Sequence, residues 1–205
     1  ITTPIFLGNT VPSRILGTTF GPTSTFHRIC ESLYGEAVIH MSLIIIRGNS
    51  GSGKSSIAKR LRGIFSKEKI ALVEQDYLRR HVLGEIGKGG DDNVDLIELV
   101  VRFSLNNNYL TILEGIMATE YYGAMIKRLS DIDPKNTHIF YLDISLDETL
   151  KRHVTKPNSH EFGEPELREW YREKDLLGFE NELVINEDLS LDESVDFILS
   201  KIKNI

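Results

Sequence analysis

The sequence predicts a three-layer α/β fold, with a parallel sheet of about five strands covered by helices on both faces. Three observations predict it. Short apolar runs alternate with helical patterns from Met41 to the C-terminus. A glycine-rich turn separates the first such run from the first helical pattern. The chain, 205 residues at 40% hydrophobic content, is long enough to bury the core of one such domain.

Leu43-Ile44-Ile45-Ile46 is a β-branched run of the kind that makes a buried parallel strand. Ile57, Ala58 and Leu61 then recur at helical spacing on a segment ending near Phe65. Residues 70–74 read as the second strand, and Asp91 and Asp92 open a helix in which Val94, Ile97, Val101 and Leu105 repeat. Residues 109–113 form the third strand, with a helix over about 120–129 behind it, and residues 137–143 the fourth. Ser145 with Glu148, and Ser190 with Glu193, read as capping boxes that start two further helices. Between those helices lies the fifth strand, 182–186. Residues 155–178 are polar and broken by Pro157, Gly163, Pro165 and Gly178, too long for an ordinary connection and placed like a mobile lid. Residues 1–40 read differently: rich in Thr, Ser, Gly and Pro, they carry no acidic residue before Glu31. A transit peptide would fit that composition, but no Arg-rich amphipathic helix is visible, and a disordered extension or a non-native leader is expected. Met41 stands two residues before the first strand, so the α/β fold is expected over 41–205.

Composition narrows the partners. A net charge of −6 supplies no general basic field for nucleic acid. The single cysteine, Cys30, excludes an intramolecular disulfide and fits a reducing cytoplasm. No apolar run approaches the roughly 20 residues of a membrane helix. The six histidines show no ligand spacing, and oligomeric state stays open.

Gly48-Asn49-Ser50-Gly51-Ser52-Gly53-Lys54-Ser55 fits G-x-x-x-x-G-K-[ST], the phosphate-binding P-loop, and Ser56 follows it into the helix. Strand, glycine turn and helix are the context the motif needs. The glycines let successive N–H groups converge on phosphate oxygens, and the helix N-terminus adds positive potential. Lys54 can reach the β- and γ-phosphates, and the Ser55 hydroxyl can hold Mg²⁺. The expectation is a P-loop NTPase fold that binds ATP with Mg²⁺. Neither a guanine motif nor a strand-ending Asp-Glu pair is present: Thr155-Lys156-Pro157-Asn158 lacks the Asp, and the third strand ends Leu113-Glu114-Gly115. GTPases and ring ATPases are thereby disfavoured.

After the second strand comes Asp76-Tyr77-Leu78-Arg79-Arg80. A carboxylate at the C-terminal edge of a strand beside the P-loop strand can accept the proton of an acceptor hydroxyl. If a helix starts at Asp76, Arg79 and Arg80 lie beside it on one face. The plainer alternative makes Asp76 a helix N-cap paired to Arg79.

With these residues the chain resembles P-loop small-molecule kinases of the nucleoside-monophosphate-kinase-like group, from Met41 to the C-terminus. Its P-loop and Asp76 look like those of chloramphenicol phosphotransferase, gluconate kinase and the zeta-toxin kinases. The Asp76–Arg79 pair also resembles the 5′-kinase domain of phage polynucleotide kinase. The resemblance implies that Asp76 is the general base and that Arg79, or Arg80, orients the acceptor. Glu114-Gly115 falls where many relatives have Asp-Gly, which leaves Glu114 between ordering Mg²⁺ through water and contacting the acceptor. Asp147 to Arg152 resembles the helix leading into the lid, implying that Arg152 stacks on adenine or reaches the phosphates. Lys156 follows four residues on. In the lid, Arg168 and Arg172 share a helical face, and a bound anion or Glu164 and Glu169 would offset their repulsion. Trp170, Tyr171, Phe179, Tyr121 and Tyr122 line the acceptor pocket or simply pack.

The expected activity is transfer of the γ-phosphoryl group of ATP to a hydroxyl of a small molecule. Two rivals stand beside it: a polynucleotide 5′-hydroxyl kinase, against which the acidic composition argues, and a non-catalytic ATP-binding sensor. No motif names the acceptor.

Overall fold

The structure, a computed structural model, describes residues 42–85, 91–154 and 163–202. The leader expected at 1–40 and Lys156 lie outside them.

Five strands form one sheet: β1 (Leu43–Gly48), β2 (Ile70–Glu74), β3 (Leu110–Gly115), β4 (Thr137–Asp143) and β5 (Glu182–Asn186). Their order is β2-β3-β1-β4-β5, and every neighbouring pair is parallel. The helices are α1 (Lys54–Ile64), the short α2 (Gln75–Tyr77), α3 (Asp91–Asn106), α4 (Thr119–Ser130), α5 (Leu146–Val154), α6 (Glu164–Trp170) and α7 (Leu191–Ile202). A π-helical turn, Leu78–Val82, continues α2.

The period-2 alternation of strand side chains divides the core in two. Ile44 and Ile46 of β1 pack with Ile57 and Leu61 of α1 and Ile198 of α7 on one face. Leu43 and Ile45 pack with Ile97 of α3 and Met125 of α4 on the other. Central β1 is buried along its whole length, as its unbroken apolar run requires. The same parity aims two charged residues: Glu114 follows Leu110 and Ile112 toward α1, whereas Arg47 follows Leu43 and Ile45 toward α4.

The two capping boxes turn out differently. At α7 both arms form: the Glu193 N–H donates to Ser190 Oγ (3.3 Å) and the Ser190 N–H to Glu193 Oε2 (2.9 Å). At α5 the Glu148 N–H donates to Ser145 Oγ (3.3 Å), but the Ser145 N–H donates to Glu187 Oε2 (2.8 Å) instead. Glu148 is drawn off by Arg152, whose Nε donates to its Oε1 at 2.8 Å. The third strand runs two residues beyond its expected end, because parallel pairing with β1 carries it through Glu114 and Gly115.

Arg47 is a buried strut that the apolar pattern hides. Fully buried, it donates through Nη1 to Glu182 Oε1 (2.8 Å) and through Nη2 to Asp175 Oδ2 (2.9 Å), Thr119 Oγ1 (2.9 Å) and the Met117 carbonyl (3.0 Å). It thereby ties β1 to the chain that enters β5. Among the described residues, no helix is long and apolar enough to cross a membrane.

Candidate active site

The P-loop joins β1 to α1 with Gly53 as the cap residue of the helix. Two of its glycines are dictated by geometry. Gly48 has φ 144°, and a Cβ there would meet the Leu142 carbonyl at 2.7 Å. Gly51 has φ 85°, and its Cβ would meet the Thr149 carbonyl of α5 at 2.9 Å. Left-handed backbone and that proximity leave room for no side chain.

Lys54 is buried, its Nζ donating to the Asn49 carbonyl (2.7 Å) and to Ser52 Oγ (3.3 Å). Ser55 Oγ donates to Glu114 Oε1 at 2.9 Å. Parity had aimed Glu114 at the α1 side, and register sets it opposite Ile46, just before the loop. Burial pushes the Glu114 carboxyl above the ordinary carboxylate range, with Lys54 and the Ser55 hydroxyl pulling back and Glu74 and Asp76 adding to the rise. A hydroxyl beside a carboxylate at the mouth of a phosphate loop is an oxygen-only donor pair that suits Mg²⁺. Among the described residues, no cluster of His, Cys, Asp and Glu forms a larger metal site.

Asp76 stands in the first turn of α2, just past the C-terminal end of β2, whose Glu74 is in register with Glu114. The cap position of that helix is Glu74, so Asp76 is not its N-cap. It pairs with Arg79 Nη2 at 3.3 Å, and its side chain is 56% exposed to solvent. Arg80 is exposed on the π-helical turn. Behind Asp76, buried Gln75 donates through Nε2 to the Tyr122 hydroxyl (2.8 Å) and accepts the Met117 N–H on Oε1 (3.2 Å). Gly115 makes space for it: a Cβ there would sit 2.3 Å from Gln75 Oε1. Buried Asn93 donates to the same tyrosine (2.6 Å). This polar trio anchors α2 against α3 and α4.

On the other side of the loop, Arg152 Nη1 donates to the Ser52 carbonyl at 3.2 Å. The salt bridge to Glu148 that orients it holds the Glu148 carboxyl below its ordinary range. Beside it opens a cleft of about 260 Å³, between Gly53 and Ser56 on one wall and Asn186, Leu189 and Leu191 on the other. Leu142, Ile144 and Ile185 add apolar surface to it, beside the polar groups of Ser52 and Ser56.

The stretch expected as a lid divides. Residues 155–162 lie outside the described residues. In α6, Arg168 pairs with Glu164 (2.7 Å), and the Glu166 carboxylate caps the Gly163 N–H (2.9 Å). The helix ends at Trp170 and Tyr171 is extended, so Arg172 does not share a helical face with Arg168. Arg172 instead reaches Glu120 (3.2 Å) and lies over the Tyr121 ring, 5.7 Å from its centre. Its main chain is gripped by Asn49, whose Nδ2 donates to the Arg172 carbonyl (2.7 Å) and whose Oδ1 accepts the Arg172 N–H (2.9 Å). The Asp175 N–H donates to the Tyr141 hydroxyl at 3.1 Å. Of the aromatics, Tyr122 is buried in the polar trio, Phe179 packs on the core and the Tyr171 hydroxyl donates to the Ile144 carbonyl at 3.1 Å. Tyr121 (42%) and Trp170 (39%) stay exposed.

Sequence reasoning missed Arg47, Asp175, Gln75, Asn93 and the side-chain role of Asn49. A cation closing an otherwise apolar strand run was a signal for Arg47. Nothing local marks the others, which matter through partners distant in sequence.

Strand order, loop and helix together define the P-loop NTPase α/β fold. Neither a family model nor a curated protein sequence matches the chain. Solved structures do. The APS kinase of Mycobacterium tuberculosis, in complex with AMPPNP and APS, superposes with a TM-score of 0.63 at 17% identity, over 79% of this chain and 97% of that one. A gluconokinase from Sinorhizobium meliloti 1021 gives 0.55 at 17%, over 80% and 92%. The Deinococcus radiodurans tunicamycin resistance protein gives 0.56 at 14%, over 78% and 95%. The chain therefore has the fold of the P-loop small-molecule kinases.

Proposed function

We propose that this protein is an ATP- and Mg²⁺-dependent phosphotransferase that moves the γ-phosphoryl group to a hydroxyl of a small molecule. The observation that carries the reading is the convergence of three groups at the C-terminal edge of adjacent strands. Lys54 lies after β1, the Ser55–Glu114 pair joins α1 to β3, and Asp76 with Arg79 follows β2. APS kinase and gluconokinase among the fold neighbours favour the same chemistry.

In this reading the P-loop N–H groups and Lys54 hold the β- and γ-phosphates, and the base lies in the cleft beside Arg152. Ser55 and Glu114 hold Mg²⁺, directly or through water, and the ion when bound neutralises charge on the phosphates. Arg79 orients the acceptor. Its hydroxyl oxygen attacks the γ-phosphorus, the bond to the β-bridging oxygen breaks, and ADP leaves. Asp76 takes the hydroxyl proton. Arg152 and Arg172 flank the transferred group, with Lys156 and Arg168 as further candidates from the lid. The cytoplasm is the expected location.

ADP release measured against a panel of hydroxylated metabolites and antibiotics tests this. At least one acceptor should raise release well above the water rate, and Lys54→Ala should abolish the rise. Lys54→Ala turning over like the parent would overturn the assignment of the loop. A parent that binds ATP and transfers to nothing would favour the sensor reading.

A further inference from the structure

We propose that Asn49 is a positioning residue: its side chain fastens the Arg172 segment to the phosphate loop, so that loading the loop and placing Arg172 are one event. This rests on the reading above, in which the loop holds ATP phosphates.

The joint is built for two-sided grip. Asn49 is 5% exposed, and its carboxamide donates to the carbonyl and accepts from the N–H of the same residue, Arg172. A carboxamide alone among side chains of this length offers one donor edge and one acceptor edge. An aspartate would keep only the acceptor, and a leucine neither. The main chain of Asn49 faces the other way, its carbonyl accepting both Lys54 Nζ (2.7 Å) and the Ser52 N–H (3.2 Å). One residue thus links the lysine that handles phosphate to the segment that carries Arg172.

That segment is poised across the sheet edge. Its main chain is held at the end of β1, while the Arg172 guanidinium reaches Glu120 and Tyr121 at the start of α4, beyond β3. Tyr141 adds a longer contact to the same residue, its hydroxyl donating to the Arg172 carbonyl at 3.5 Å, and a second fastening, Arg47 and Tyr141 to Asp175, lies three residues on. The Asn49 grip is the link made from the loop itself, and Arg172 is the cation it places. When Lys54 turns from the Asn49 carbonyl to phosphate oxygens, the loop peptide it leaves is the one whose side chain holds Arg172.

The test uses the full chain with Asn49→Ala, Arg172→Ala and the double variant; Asn49→Ser replaces Asn49→Ala if the latter does not fold. Three quantities are read: affinity for a fluorescent ATP analogue with Mg²⁺, ATP turnover with water as acceptor, and amide exchange over residues 171–177 with and without Mg²⁺-AMPPNP. In the parent, AMPPNP should slow exchange across 171–177. In Asn49→Ala that slowing should vanish and turnover should fall about 10²-fold. Analogue affinity should fall by no more than the factor by which AMPPNP slows that exchange in the parent, because Asn49 acts through Arg172 and not on the phosphates. The double variant should turn over no more slowly than Arg172→Ala, since two residues acting as one unit lose their effect once. Losses that multiply in the double variant would overturn the proposal, as would a parent that binds AMPPNP with exchange unchanged. If the parent turns over no ATP, the exchange comparison decides alone. A parent that does not bind the analogue overturns the nucleotide reading itself, and with it this one.

Discussion

Replacing Arg47 with Met asks how much the buried strut holds. Met fills similar volume but removes four polar contacts, those to Glu182, Asp175, Thr119 and the Met117 carbonyl. Two carboxylates lose their counter-charge. Glu182 is 3% exposed and Asp175 19%, so the first cannot recover hydration without opening the core. Breaking one partner of a buried ion pair costs about 3–5 kcal/mol, because a charge is left uncompensated. Each carboxylate here keeps one backbone donor, Leu177 N–H for Glu182 at 2.6 Å and Thr119 N–H for Asp175 at 2.9 Å, which places the loss at the low end. About 3 kcal/mol corresponds to a fall in Tm of roughly 6–12 °C for a domain of this size. Thermal melts of the parent and Arg47→Met without nucleotide measure it. Adding Glu182→Gln should then restore part of the loss, since the more deeply buried of the two stranded charges is removed. A Tm within about 2 °C of the parent would refute the reasoning, and so would a double variant less stable than Arg47→Met.

The other expectations concern the chemistry. Asp76→Asn keeps size and most hydrogen bonding but removes the proton acceptor, so transfer should fall about 10²–10⁴-fold while nucleotide affinity holds; transfer at the parental rate would move the base elsewhere, with Glu114 next. Burial raises the Glu114 carboxyl in the folded protein, so its contribution to stability is full below the unfolded value and is lost as pH rises through the folded one. Glu114→Gln should therefore melt at or above the parent at neutral pH without Mg²⁺, while gaining less from Mg²⁺-ATP. In the parent that gain should fade as pH drops through the raised Glu114 value, because only the carboxylate serves the ion. Melts across pH with and without Mg²⁺-ATP read both.

Much of this was legible along the chain, for a local reason. Strand and helix periods repeat within a few residues, so the unbroken apolar run of Leu43 to Ile46 and the spacing of Ile57, Ala58 and Leu61 announced β1 and α1. The P-loop was legible because its chemistry is made by consecutive backbone N–H groups and needs no distant partner. Asp76 was placed by the rule that sites gather at the carboxyl ends of parallel strands, and the structure puts it there. Other features waited for tertiary structure. Glu114 became a partner of Ser55 only when β3 paired beside β1 in the register that sets it opposite Ile46. Helical spacing joined Arg168 to Arg172, but the chain turns extended at Tyr171 because Asn49, more than a hundred positions earlier, holds the next peptide. The Ser145 cap took its second arm from Glu187, since Glu148 had a stronger partner in Arg152. Arg47 read as the end of a strand and proved to be a buried junction. Sequence determines what short-range geometry can satisfy; a buried charge or an unpaired amide is satisfied by whatever the fold brings near, and only the folded chain decides what that is.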